Sequence, residues 1–327
     1  EYDGASRYVG DIYFVPSNTL VGCDKAAALG IHGADHLFGG VVPYPFVGTK
    51  TITHVLASEN AHAPEGWSHE FSAAVREAVL EGYAAFTAAD AMRAGVSLLR
   101  RGALRVKQAL ALGGHGQCVV NSVPELESAI AEVDPGELSQ CGVVLEQNLT
   151  DVTTYSVGQV RVADLVVSYY GTQLLTRDNN GAEVYGGSDL VVARGDFEAL
   201  LALDMPPALR HAVAQAQVYD EAAHAHFPGF FASRRNYDVA QGRNADNELC
   251  CGVLEQSWRI GGASGAEIAA LERFRADPSV NVIHSCCIEV YGECEPPPEH
   301  AITYFRGVDE KVGLITKYTV VDAHERA

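Results

Sequence analysis

The sequence predicts an α+β fold of two or three lobes, and three observations carry that expectation. A chain of 327 residues is long enough to bury more than one hydrophobic core. Its first part alternates short apolar runs with helical stretches broken by Gly and Pro, whereas from Thr153 the pattern becomes rich in strands. The hydrophobic fraction of 47% against a charged fraction of 20% is that of a soluble globular protein.

Charge and cysteine usage narrow the function classes. A formal net charge of −19, from 42 acids against 23 bases, argues against a nucleic-acid partner. No apolar run reaches the roughly 18 residues of a membrane span, and no signal-peptide pattern opens the chain. The eight cysteines include no CxxC pair, and Cys250-Cys251 and Cys286-Cys287 are vicinal; reduced thiols in a cytoplasmic protein are expected. The chain begins with Glu1 rather than Met, so the leading lobe is expected to be partial.

Residues 1–47 read as a small α/β lobe, with strands at 12–15 and 41–42 and a helix at 25–29. His32 and His36 stand four apart, but the glycines around them favour a loop, so they are not taken as ligands. The stretch 46–57 predicts a helix with Lys50 near its start, and 71–86 predicts one or two amphipathic helices. Thr87 followed by Asp90 predicts a capped helix over 87–101. Strands are expected at 154–162, 165–173 and 185–192, helices at 197–203 and 207–226, and further strands at 282–284, 302–305 and 313–321. His224 and His226 end a helix and read as surface residues rather than a metal site.

Four stretches carry chemistry. In 104–120, LRVKQALALGGHGQCVV, a strand bearing Lys107 leads through Gly113, Gly114, His115 and Gly116 to a second strand. Glycines let backbone amides approach an anion closely while the lysine adds a point charge. No GK[ST] follows, so this is not a Walker A loop. In 142–149, GVVLEQNL, an apolar strand ends in polar residues whose backbone groups suit the edge of a planar base. In 230–242, FFASRRNYDVAQG, Arg234 and Arg235 precede a strand carrying Asp238. In 252–264, GVLEQSWRIGGAS, Glu255, Ser257 and Arg259 alternate and therefore project from one strand face, just before a glycine turn and a helix start. The polar loop 243–248 would bring Asp238 and Glu255 onto neighbouring antiparallel strands, close enough to share a divalent cation.

In this order of parts the chain resembles the ATP-grasp superfamily, over about residues 50–264. RVKQALALGGHGQ resembles the family's lysine and glycine loop, GVVLEQNL its hinge, and GVLEQSWRIGGAS its E-x-N-x-R metal strand. Through VVPYPFVGTKTITH, SRRNYDVAQG and VLEQSWRIGGASGAE it is more similar to an uncharacterised proteobacterial ATP-grasp-like family without an assigned substrate. The resemblance implies an α+β ATP-grasp-like fold: a partial N-terminal α/β lobe over 1–47, a small subdomain with the glycine loop over 48–145, and a large subdomain over 146–327. It implies Lys50 and Lys107 on the phosphates of ATP, with Gly113, Gly114, His115 and Gly116 closing over them. Glu146, Gln147, Asn148 and Leu149 would hold adenine, and Asp238, Glu255 and Ser257 would hold Mg²⁺. Arg259 would act on the transferred phosphoryl group, and Arg234 or Arg235 would grip the substrate carboxylate. Ser257 departs from the family, which has Asn there, and this puts a second metal ion in question.

The implied activity is ATP-dependent ligation of a small-molecule carboxylate to an amine or thiol, through an acyl phosphate, with release of ADP and phosphate. A small-molecule kinase and a non-catalytic nucleotide-binding module stand as alternatives. The apolar segments would serve a core or a homodimer face equally, and the substrates are not encoded in any motif.

Overall fold

The computed structural model describes residues 8–111 and 116–323, the last of these by its backbone alone. Strands β1 (Leu20–Val21) and β2 (Gly40–Val42) pair in parallel beside helix α1 (Cys23–Ala28). Where 12–15 was expected to form a strand, the described structure has an isolated bridge from Phe14 to Leu37.

A five-stranded sheet follows, built from β3 (Val55–Leu56), β4 (Gly82–Ala85), β5 (Leu104–Gln108), β6 (Gln117–Val120) and β7 (Val143–Gln147) in the order β3-β4-β7-β5-β6. Between these strands lie α2 (His69–Ala74), α3 (Ala88–Leu99), α4 (Val123–Ala131) and α5 (Pro135–Cys141). Helix α3 starts at the expected cap: the Thr87 hydroxyl accepts from the Asp90 N–H at 3.1 Å. Ala91, Leu98, Leu126 and Ile130 from α3 and α4 pack on Leu104, Val106, Val143 and Leu145 and cover one face of the sheet. The other face, with Lys107 and Glu146, is left to the rest of the chain.

Two helical expectations fail in this part. The stretch 46–57 forms 3₁₀ turns at Pro45–Gly48 and Lys50–Thr53 and then β3. Gly48 and the β-branched run Thr51, Ile52, Thr53 and Val55 resist a regular helix. The stretch 71–86 is helical only to Ala74, then passes through the 3₁₀ turn Arg76–Ala78 into β4. Its run Tyr83, Ala84, Ala85 is a short apolar segment, and pairing between β3 and β7 decides its conformation.

The remaining strands form an eight-stranded antiparallel sheet: β8 (Thr150–Val162), β9 (Leu165–Arg177), β10 (Glu183–Arg194), and, after β11 (Phe231–Ala232) has joined β2, β12 (Arg234–Arg243), β13 (Leu249–Ser257), β14 (Val282–Tyr291), β15 (Ile302–Asp309) and β16 (Gly313–Ala323). Their order is β13-β12-β8-β9-β10-β14-β16-β15. Helices α6 (Phe197–Leu201) and α7 (Pro207–His226) pack on one face through Val157, Tyr237 and Val239. Helix α8 (Ser264–Ala276) packs on the other through Ala266, Ala270 and Phe274 against Val167, Leu190 and Ile283. No helix among the described residues is long and apolar enough to cross a membrane.

The segment that leads into β4 meets β13 where Val79 bridges in parallel to Val253. Gly252 makes that approach possible, since a Cβ there would lie 2.5 Å from the Leu80 nitrogen and 2.6 Å from the Val79 carbonyl carbon. Gly252→Ala is therefore expected to cost about 1–3 kcal/mol by overpacking against backbone that cannot yield. Chemical denaturation would check this, and an unchanged midpoint would contradict it.

Candidate functional site

The β12–β13 register sets Asp238 directly opposite Glu255, beside a bulge between Asp238 and Val239. Asp238 accepts hydrogen bonds from Asn236 Nδ2 at 3.1 Å and Ser156 Oγ at 3.3 Å. Burial, and then the charge of Glu255, push its carboxyl up to about 6. Glu255 is paired across the cleft, where Lys50 Nζ lies 2.9 Å from its Oε2 and also donates to the Ala111 carbonyl at 2.7 Å. Strand β13 continues the alternation read from the sequence. Gln256 and Trp258 are buried, while Glu255, Ser257 and Arg259 line a cavity of about 420 Å³ together with Lys50. Gln256 Nε2 donates to the carbonyls of Val47 and Thr49, at 3.0 and 2.6 Å, so the buried face of β13 holds the turn that carries Lys50.

Beyond β13 the Gly261–Gly262 turn is fastened by Ser264, whose Oγ accepts from the Gly261 N–H at 3.0 Å. Arg259 is half-buried and donates to the Ile260 carbonyl at 2.9 Å. Burial and the neighbouring Arg234 lower its pKa, while Glu255 and Asp238 oppose them. Arg234 is 1% exposed and committed to protein partners: Glu267 at 2.7 Å, the carbonyls of Ser257 and Arg259 at 3.2 and 2.8 Å, and Ser257 Oγ at 3.3 Å. Arg235, one residue on, points to the opposite sheet face, toward Asp220, His224 and Gln159. Both arginines, expected at a substrate carboxylate, have their contacts within the protein here, and among the described residues Lys50 and Arg259 are the Lys or Arg side chains lining the cavity.

On the five-stranded sheet, Lys107 Nζ lies 2.6 Å from Glu146 Oε1, and His54 Nε2 lies 3.0 Å from Glu146 Oε2. Burial alone would raise the Glu146 carboxyl; Lys107 and His54 outweigh it and hold it at about 2. The hinge amides are already used: Gln147 N–H donates to the Glu81 carbonyl at 2.9 Å and Asn148 N–H to Ala103 at 3.1 Å. Leu149 is buried against Leu80 and Ala240. Of the glycine loop, Gly113, Gly114 and His115 lie outside the described residues. Gly116 has φ of 61° and its carbonyl accepts from the Gln108 N–H at 2.9 Å, closing the β5–β6 connection.

Three residues here were not singled out from the sequence. Glu267 is fully buried, binds Arg234, and accepts from Tyr169 Oη at 2.6 Å. An acid flanked by Ala266, Ala269 and Ala270 on a helix was the available signal, because such a position is buried only with a partner. Asn236 stands two residues before Asp238 and so shares its sheet face. His54, in contrast, is placed by a 3₁₀ turn in a stretch whose pattern predicts a helix.

The raised carboxyl of Asp238 has a stability consequence with a definite sign. A carboxyl whose pKa rises from about 3.8 to about 6 on folding stabilises the fold while protonated, and that contribution is lost as pH climbs from about 4 to about 6. Asp238→Asn keeps an oxygen for Asn236 and Ser156 without the charge. It is expected to be more stable than the parent above pH 6, on the order of 2–3 kcal/mol, with the two converging near pH 4. Denaturation curves at several pH values would check this, and a variant destabilised at pH 8 would contradict it.

Residues 1–319 match the family described as "Protein of unknown function (DUF3182)". No curated protein sequence matches the chain. Among solved structures, biotin carboxylase from Campylobacter jejuni, in complex with β,γ-ATP, aligns with 92% of this chain and 68% of its own, with a TM-score of 0.51 at 11% identity. Phosphoribosylamine–glycine ligase from Thermotoga maritima aligns with 94% of this chain and 79% of its own (TM-score 0.47, 15% identity). For D-alanyl-alanine synthetase A from Vibrio cholerae the values are 62% and 58% (TM-score 0.39, 14% identity). At such identities the likeness is one of fold, and it is carried by the first of the three. The chain belongs to the DUF3182 family and folds as an ATP-grasp-like α+β protein.

Proposed function

We propose that this protein is an ATP-dependent ligase that joins a small-molecule carboxylate to an amine or thiol. The observation that carries the reading is Asp238 directly opposed to Glu255, which lines one cavity with Lys50 and Arg259. That donor set fits a hard divalent cation: two carboxylates stand side by side, and the balancing charge on Glu255 is Lys50, from the 3₁₀ turn before β3. Mg²⁺·ATP, when bound, would supply the phosphoryl group and the positive charge that the carboxylate pair lacks.

The chain's own residues would then act as follows. Asp238 and Glu255 hold the cation. The Ser257 hydroxyl already accepts from Arg234, which favours one metal ion over two. Lys50 leaves Glu255 and Lys107 leaves Glu146 as phosphate oxygens replace those carboxylates, so each ammonium exchanges one anionic partner for another. Arg259 neutralises charge on the phosphoryl group in transfer. A substrate carboxylate oxygen attacks the terminal phosphorus, and ADP departs with the electrons of the broken P–O bond. The amine nitrogen next forms the new C–N bond, phosphate leaves with the C–O electron pair, and the displaced N–H proton passes to solvent.

The test is product analysis with ATP, Mg²⁺ and a panel of carboxylates and amines. ADP and free phosphate are expected in equal amounts with a condensed product. Arg259→Ala is expected to lower that turnover about 100-fold or more while nucleotide binding persists. A phosphorylated product without free phosphate would replace the ligase reading with a kinase.

A further inference from the structure

A second cavity, of about 450 Å³, is lined from Ile260, the residue after Arg259 in the chain. It is bounded by the Gly261–Gly262 turn, the first turns of α8, and strands β14, β15 and β16. The volume is that of a small-molecule site. Its walls are apolar and open: Ile268 is 41% exposed, Ile302 53% and Tyr304 48%, each at the cavity. Gly265 lets Tyr304 lie close over α8, since a Cβ there would sit 3.0 Å from Tyr304 Oη.

Charge of both signs stands in one wall. Lys317 and Glu289 are directly opposed across β16 and β14, with Nζ 2.8 Å from Oε1. The glutamate is almost covered, at 10% exposure, while the lysine is 32% exposed; Glu272 adds a second acid at the cavity. A ligand of one sign would meet one member of this pair and repel the other. A ligand carrying both signs would match them. We propose that this cavity binds an apolar α-amino acid as a zwitterion, its carboxylate toward Lys317, its ammonium toward Glu289 and Glu272, and its side chain against Ile268, Ile302 and Tyr304. This deepens the ligase reading, on which its catalytic meaning rests: the amino acid is the amine-bearing substrate, seated one residue beyond the arginine that faces the phosphates.

The test uses three probes with one body and different charge, titrated calorimetrically into the full chain without nucleotide: phenylalanine (each enantiomer in turn), 2-phenylethylamine and 3-phenylpropionate. Saturable binding of phenylalanine is expected, with both singly charged analogues at least about tenfold weaker, because a site that pairs both charges penalises loss of either. Ile268→Trp, at an exposed helix position, is expected to fill the cavity and abolish that binding while leaving a nucleotide-induced rise in melting temperature intact. Lys317→Met paired with Glu289→Leu removes both charges together, so neither is left unpaired, and is expected to erase the preference among the three probes. Equal or tighter binding of either analogue, unchanged phenylalanine binding in Ile268→Trp, or no binding of any probe would overturn the proposal. A chain that binds phenylalanine but shows no response to ATP would instead retain this site and lose the ligase reading.

Discussion

Two carboxylates held face to face, Asp238 and Glu255, are the constraint around which the site is arranged. Like charges at that spacing repel, and the pair persists because its strands are anchored elsewhere. Arg234, from the start of β12, reaches under the Gly261–Gly262 turn to Glu267 of α8 and to the carbonyls of Ser257 and Arg259. Tyr169 Oη donates to Glu267 and lies 2.8 Å from Asn236 Oδ1, so its single O–H faces both acceptors. This buried network joins β9, β12, β13 and α8. Removing one partner of such an ion pair typically costs about 3–5 kcal/mol, so the anchor is strong where it is intact. Stability spent on holding two acids together is the usual mark of a place kept for function.

The lysines show the same economy. Lys50 and Lys107 sit on different elements, and each neutralises a carboxylate at the cleft, Glu255 in one case and Glu146 in the other. Neither ammonium is stranded in low dielectric, since each has a carboxylate partner, at 2.9 and 2.6 Å. The Gln256 side chain, bonded to the Val47 and Thr49 carbonyls, keeps the Lys50 turn at β13, so the lysine is held beside Glu255.

Much of this was legible in the sequence where periodicity carries the information. Period-two alternation placed Glu255, Ser257 and Arg259 on one face, and the short polar connection 243–248 made β12 and β13 partners, with Asp238 opposite Glu255. Helices with strong caps or long periodic runs, such as α3 and α7, came out within a few residues. The failures have local causes. The stretch 46–57 lacks a stable helical alternative because its branched residues and Gly48 oppose one, and the turns it forms depend on Gln256, about 200 residues later. Alternation also says that Arg234 and Arg235 face opposite ways, but not which side holds Glu267 or Asp220. Glu146 could be read as part of a polar strand end, yet its partners Lys107 and His54 come from two other elements. Long-range pairing of charges leaves no periodic trace.

The most direct measurement is thermal melting with ATP, with and without Mg²⁺, on the parent chain and on Glu255→Ala. If the carboxylate pair is a cation and nucleotide site, saturating Mg²⁺·ATP at a hundredfold excess over Kd stabilises the parent by about 2.7 kcal/mol, and the variant loses the Mg²⁺-dependent part. A folded parent whose melting temperature is unmoved by nucleotide, or a variant that responds as fully as the parent, would contradict the central claim.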